Sequence, residues 1–182
     1  MSDRLPGIRP RPSLWRRLDA TARWSFPACS TAIALMLSAA PLGLPGQPEL
    51  QGAVALASVY FWSLFRPASM PPPVVFLLGL FVDLLDYAPP GISVLTLLIV
   101  HGLALRWRRM LVRQGFLLVW LSFVGIAAGA AVLQWVLNSV LVFRLLTPGP
   151  GAFQAVLAAG LYPALAVLLT RAHQTLADPW RA

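Results

Sequence analysis

The chain has 182 residues, 58% of them hydrophobic and only 11% charged, with a mean hydropathy of +0.74. A soluble domain carries roughly 25% charged residues, so this composition excludes an ordinary water-facing globule and points to lipid as the solvent. All 14 basic residues are arginines, set against six acids (Asp3, Asp19, Glu49, Asp83, Asp86 and Asp178), for a net charge of +8; on a soluble domain that excess would point to nucleic acid, but here the arginines punctuate apolar runs, and no nucleic-acid partner is expected.

Charges divide the chain into six uncharged intervals, residues 24–48, 50–65, 67–82, 87–105, 114–143 and 145–170. Backbone N–H and C=O groups cannot stay unpaired in hydrocarbon, and the intervals lack the alternation of barrel strands, so each is predicted to be a helix. The expected fold is all-α, a polytopic membrane protein with six transmembrane helices in one bundle. The domain reading is a basic, disordered cytoplasmic segment at 1–23, a six-helix domain at 24–171, and a short cytoplasmic tail at 172–182.

In chain order, the lead carries Arg4, Arg9, Arg11, Arg16, Arg17 and Arg23 with Pro6, Pro10 and Pro12, and is expected to lack structure up to Trp15. Residues 14–18 are expected either to lie on the anionic leaflet, held by ~1 kcal/mol per arginine, or to serve as a topology signal alone. Ser38-Ala39-Ala40 offers the small residues of a signal-peptide cleavage site, but the arginine-rich lead and five further apolar intervals favour an uncleaved first helix. Cys29 is the only cysteine, which rules out an internal disulfide and reads as packing.

The second and third intervals have 16 residues each, which span only ~24 Å of a ~30 Å hydrocarbon core. The third helix is therefore predicted to continue through Asp83 to about Asp86. The fifth, of 30 residues, must tilt or project from the bilayer. Joints fall at Pro45-Gly46-Gln47-Pro48, at Pro67 and Pro71-Pro72-Pro73, at Pro89-Pro90-Gly91, and at Pro148-Gly149-Pro150-Gly151.

Six spans place thirteen arginines on one side, among them Arg66, the Arg106–Arg113 group and Arg171, and leave only Arg144 on the other. The positive-inside rule then predicts a bacterial inner-membrane protein with both termini cytoplasmic, its arginine-rich face against anionic lipids.

Asp83 is the first candidate for a special role, because an acid within an apolar helix costs several kcal/mol to insert and usually has a partner. Helical spacing places Gly79, Asp83 and Asp86 on one face, with Gly79 permitting close approach of another helix. Arg144, the lone arginine on that side, is the candidate ion-pair partner of Asp83 or Asp86. His101 and His173 stand without companion ligands, so neither a metal nor a cofactor is expected. No nucleophile elbow or phosphate-binding loop is present, and the chain is not expected to be an enzyme. Gly125-Ile126-Ala127-Ala128-Gly129, the Ala28 to Ala32 step, and Gln134, Asn138 and Ser139 all read as packing between helices.

The segment Tyr60-Phe61-Trp62-Ser63-Leu64-Phe65-Arg66-Pro67, followed by Gly79-Leu80-Phe81-Val82-Asp83-Leu84-Leu85 and then Pro89-Pro90-Gly91, resembles the bacterial rod shape-determining protein MreD family. The resemblance runs from about Tyr60 to Arg109. It departs from the family at Asp86-Tyr87-Ala88, at Pro90 where Leu is usual, and in the longer arginine- and proline-rich lead. It implies a non-enzymatic inner-membrane component of the machinery that builds the lateral peptidoglycan wall. The implied partners are MreC and, through it, RodA, its transpeptidase and MreB. Tyr60, Trp62, Arg66, Pro67, Gly79, Asp83, Asp86, Pro90 and Gly91 would maintain the interacting structure. The implied fold is similar to the substrate-binding subunits of energy-coupling-factor transporters, which makes a vitamin-binding subunit of that kind the alternative. The few polar groups in the outer loops 45–49 and 86–91 weigh against that alternative.

Overall fold

The computed structural model describes residues 14–40, 45–86 and 89–177, with side chains described within residues 24–172. Among these residues the chain is all-helical, with six helices: α1 (Leu14–Ala39), α2 (Gln47–Phe65), α3 (Pro72–Leu85), α4 (Ile92–Leu111), α5 (Phe116–Leu141) and α6 (Gly149–Ala177). A short 3-10 helix, Pro67–Ser69, lies between α2 and α3. Each helix overlaps chiefly with one of the six uncharged intervals.

Helix boundaries follow the local chemistry. Gly46 and Gly91 adopt left-handed conformations (φ +85° and +100°) directly before α2 and α4, where a residue with a Cβ would be strained. Pro48 and Pro72 occupy first-turn positions that have no intrahelical N–H bond to lose. Helix α3 ends at Leu85 with Asp86 as its cap, which agrees with the predicted continuation through Asp83. Helix α1 differs: it begins at Leu14, so residues 14–23 of the lead expected to be disordered are helical. The arginine and proline run at 1–13 lies outside the described residues, as does the tail beyond Ala177.

Helix α2 is the hub. It is buried around most of its circumference and packs against α1, α3, α4 and α6. A helix apolar on every side belongs in the middle of its neighbours, which accounts for a short segment that crosses the centre. Around it, α3 packs closely on α4, and α5 on α6. The outside of the bundle is apolar as well: Ile33, Met36, Leu37, Leu77, Leu117, Leu121, Val132, Val156 and Leu168 are all exposed. Two helices, Phe116–Leu141 and the stretch Gly149–Ala172 of α6, are long and apolar enough to cross a membrane, while Trp24–Ala39 and Pro72–Leu85 are shorter apolar helices.

The two ends of the bundle differ in charge. Arg66, Arg106, Arg108, Arg109, Arg113 and Arg171 gather where α2, α4 and α6 end and α3 and α5 begin. Glu49, Asp83 and Asp86 sit at the opposite end.

Candidate functional site

The residues that carry the family resemblance lie on the continuous stretch from α2 to α4, and most of them make contacts between elements. On α2, positions two apart point to nearly opposite sides. Tyr60 therefore faces α5, its hydroxyl 2.6 Å from Ser122 Oγ and 3.2 Å from the Val119 carbonyl. Its ring lies against Phe123 and Tyr162, which themselves stack at 4.4 Å. Trp62 faces the other way and meets Phe26 of α1 edge-on at 5.8 Å. Ser63 faces α4, where its Oγ lies 2.7 Å from His101 Nδ1.

Ser63 also donates its hydroxyl to the Val59 carbonyl at 2.5 Å, so its proton is already committed. His101 must then donate from Nδ1, which fixes its tautomer and leaves Nε2, buried and without a partner among the described residues, as a bare acceptor. His101 stands isolated in the sequence, because a serine at the right helical phase on another element carries no local signature.

Where α2 ends, Arg66 donates its N–H to Trp62 O at 2.7 Å, and Pro67 opens the 3-10 turn. Two side chains grip this region from outside. Trp24 Nε1 donates to Ala68 O at 2.8 Å, and Arg108 Nε donates to Leu64 O at 2.7 Å. Arg108 thus supplies a cation to the carbonyl-rich end of α2, where the helix dipole favours positive charge.

The remaining resemblance residues converge on the corner between α3 and α4. A Cβ placed on Gly79 would lie 2.6 Å from Val94 Cα and 3.0 Å from Val94 N, so the two backbones touch there and only glycine fits. One turn further along α3, Asp83 is 5% exposed. It accepts the Gly91 N–H at 2.6 Å and the Ser93 N–H at 3.0 Å, one on each oxygen. Asp83 therefore caps the first turn of α4 from a neighbouring helix. Pro90 is exposed in the turn that delivers Gly91.

This arrangement stands in place of the candidate ion pair. Arg144 is exposed in the segment after α5, and among the described residues its side chain forms no ion pair with Asp83 or Asp86. The physical reason is that two backbone amides at a helix N-terminus already satisfy the buried carboxylate, with the dipole in its favour. The expectation for Gly125 and Gly129 is corrected too: nothing lies within 4 Å of a Cβ at either position, and both line an open groove beside α4 in place of a close helix contact. Ala32, by contrast, packs against the core.

Above the capped corner lies a cavity of about 300 Å3, bounded by Glu49, Asp86, Ser93, Gln134, Asn138 and Gln154 among others. The loops at this end supply few of these polar groups. Gln134 and Asn138 come instead from α5 and Gln154 from α6, and they reach the cavity through helical phase. Ser139 is used differently, its Oγ accepting the Leu146 N–H at 3.4 Å. Among the described residues no group of three or more His, Cys, Asp or Glu residues is placed to hold a metal ion.

No protein-family model, curated protein or solved structure matches the chain.

Proposed function

We propose that this chain is a non-enzymatic, multi-pass inner-membrane component of the bacterial cell-elongation machinery, of the MreD kind, acting by holding MreC and linked peptidoglycan-synthesis proteins. On this reading all six helices cross the bilayer, with the arginine-bearing end and both termini in the cytoplasm. The observation that carries it is the convergence of the resemblance residues. Tyr60, Trp62, Gly79, Asp83 and Gly91 all serve to fix α2, α3 and α4 against their neighbours, as residues maintaining a docking scaffold should. The apolar exterior supports immersion in lipid, because a monomeric soluble protein rarely exposes apolar area on this scale. The gathering of every other described arginine at the end opposite Arg144 and the described carboxylates Glu49, Asp83 and Asp86 supports the orientation.

Depletion in the native bacterium, scored for rounding of rod-shaped cells with co-purification of MreC as a second readout, tests the proposal. Rounding with loss of MreC from the purified complex is the expected result. Unaltered rods with impaired vitamin uptake would favour the transporter alternative, for which the polar cavity is the supporting observation. Reporter tags at the two termini test the orientation, and tags facing the periplasm would overturn it.

A further inference from the structure

A second cavity, of about 440 Å3, lies at the arginine-bearing end of the bundle between α2, α5 and α6. It exists because α6 packs closely on both α2 and α5, while those two helices make little contact with each other. Its walls are Phe61 and Phe65 of α2, Phe116 of α5, and Tyr162, Ala166 and Val167 of α6. Phe61 lies against Phe65 at 4.8 Å and Phe116 stacks over Tyr162 at 6.4 Å, so rings line both sides. Phe61, Tyr162 and Ala166 form a buried floor, whereas Phe65, Phe116 and Val167 are exposed, which makes the cavity a groove open to the outside of the bundle.

Charge is confined to one end of this groove. Thr170 and Arg171 stand there, and the Thr170 hydroxyl is already donated to the Ala166 carbonyl at 2.6 Å. Arg171 is exposed and forms no hydrogen bond or ion pair among the described residues. The described carboxylates Glu49, Asp83 and Asp86 are all at the far end of the bundle, so an anion on Arg171 meets only positive charge. From Tyr162 to Arg171 helix α6 rises ~13 Å, close to the depth of one leaflet of a ~30 Å hydrocarbon core.

We infer that this groove seats one anionic phospholipid of the cytoplasmic leaflet, phosphatidylglycerol in kind, with its phosphate on Arg171 and an acyl chain laid along the rings toward Tyr162. The volume lies within the ~300–1,000 Å3 of ligand sites. A partner's transmembrane helix needs a contact face running through both leaflets, and this groove ends within one. A second copy in the same orientation would bring arginine-bearing ends together, where like charges oppose the pairing. The inference rests on the orientation proposed above and not on the binding of MreC.

The test is native mass spectrometry of the full-length chain in neutral detergent, with equal amounts of phosphatidylglycerol and phosphatidylethanolamine of the same acyl chains. One phosphatidylglycerol retained per chain, in preference to phosphatidylethanolamine, is the expected result. Arg171→Gln should weaken retention about fivefold or more, from the loss of one arginine at the membrane surface. Val167→Trp fills the groove, keeps the charge and should weaken retention too, while Arg109→Gln, an equal loss of charge outside the groove, should leave it unchanged. On the unaltered chain, phosphatidylglycerol should raise the thermal midpoint and phosphatidylethanolamine should not, a readout that depends on no variant folding. Equal retention of the two lipids, equal weakening by Arg171→Gln and Arg109→Gln, or indifference to Val167→Trp would overturn the inference. A dimer whose formation displaces the lipid would overturn it as well and make the groove an interface between copies. Depletion and terminal tags do not involve this lipid, so a failure of phosphatidylglycerol retention is distinct from a failure of the proposed function or orientation.

Discussion

The carboxylate of Asp83 holds the backbone N–H of Gly91 at 2.6 Å, across the turn that joins α3 to α4. Its other oxygen holds Ser93 N–H, so one side chain satisfies two of the four donors that every helix leaves open at its start. A helix usually supplies its own cap from the preceding residue. Here that residue is Gly91, chosen by its left-handed backbone, and it has no side chain with which to cap. The acid on α3 takes over that role and ties two helices together in doing so.

Replacing Asp83 should therefore cost stability without any involvement of Arg144. Hydrogen bonds to a charged group contribute ~1.5–3 kcal/mol each. Asp83→Asn keeps one acceptor but turns an amide NH2 toward the second N–H, and we expect a loss of about 2 kcal/mol; Asp83→Leu orphans both donors and should lose more. Chemical unfolding in mild detergent measures this. The exchange Asp83→Arg with Arg144→Asp should be no more stable than Asp83→Arg alone, and rescue by the exchange would refute the capping account.

The glycines divide into two groups with opposite expectations. At Gly79 an added methyl meets the Val94 backbone, which cannot rotate away, so Gly79→Ala should destabilise by ~1–3 kcal/mol through overpacking. At Gly125 and Gly129 the space is open, and alanine has the higher helix propensity by up to ~1 kcal/mol. Gly125→Ala and Gly129→Ala should leave the purified chain as stable or slightly more so. Equal destabilisation at all three positions in thermal melts would show that the glycine faces are used alike.

Much of the fold was legible because long apolar runs broken by charges, prolines and glycines fix where helices start and stop. Arginine positions and apolar run lengths located six helices, and Gly79 and Asp83 stood out by being small or charged where neither is expected. The partner of Asp83 was not legible, since a backbone N–H is invisible in a sequence of side chains while Arg144 is conspicuous. The polar cavity was missed for a related reason. Glu49, Gln134, Asn138 and Gln154 are scattered over three helices, and only the packing of α2 against α6 and the ends of α3 and α4 brings them together. The start of α1 was not legible, since the arginine content of residues 1–13 continues into residues 14–23, which form helix.

Ser63 and His101 form a buried pair whose cost appears only when one member is removed. Ser63→Ala takes away the acceptor of His101 Nδ1–H and leaves both ring nitrogens unmatched, for a loss of ~1–3 kcal/mol. Combining Ser63→Ala with His101→Leu replaces both polar partners by apolar groups, and should recover part of that loss. A double-mutant cycle reads the coupling, expected at ~1 kcal/mol or more, whereas strictly additive effects would mean that the two side chains do not interact.

Arg108 separates a structural arginine from those that only set charge. It donates from Nε to Leu64 O at the end of α2, whereas Arg106 and Arg109 on the same turn are exposed. Lysine preserves the charge but lacks the planar guanidinium that makes this bond, and its flexible ammonium gives a point charge in place of a directed donor. Arg108→Lys should therefore destabilise the chain by about 1 kcal/mol, a modest figure because the bond is only partly buried and the dipole contribution is screened near the surface. Arg106→Lys and Arg109→Lys should be neutral within about 0.5 kcal/mol, the usual range for surface substitutions. If all three lysine variants unfold at the same denaturant concentration as the unaltered chain, Arg108 contributes only charge, and its contact with α2 adds nothing to the stability of the bundle.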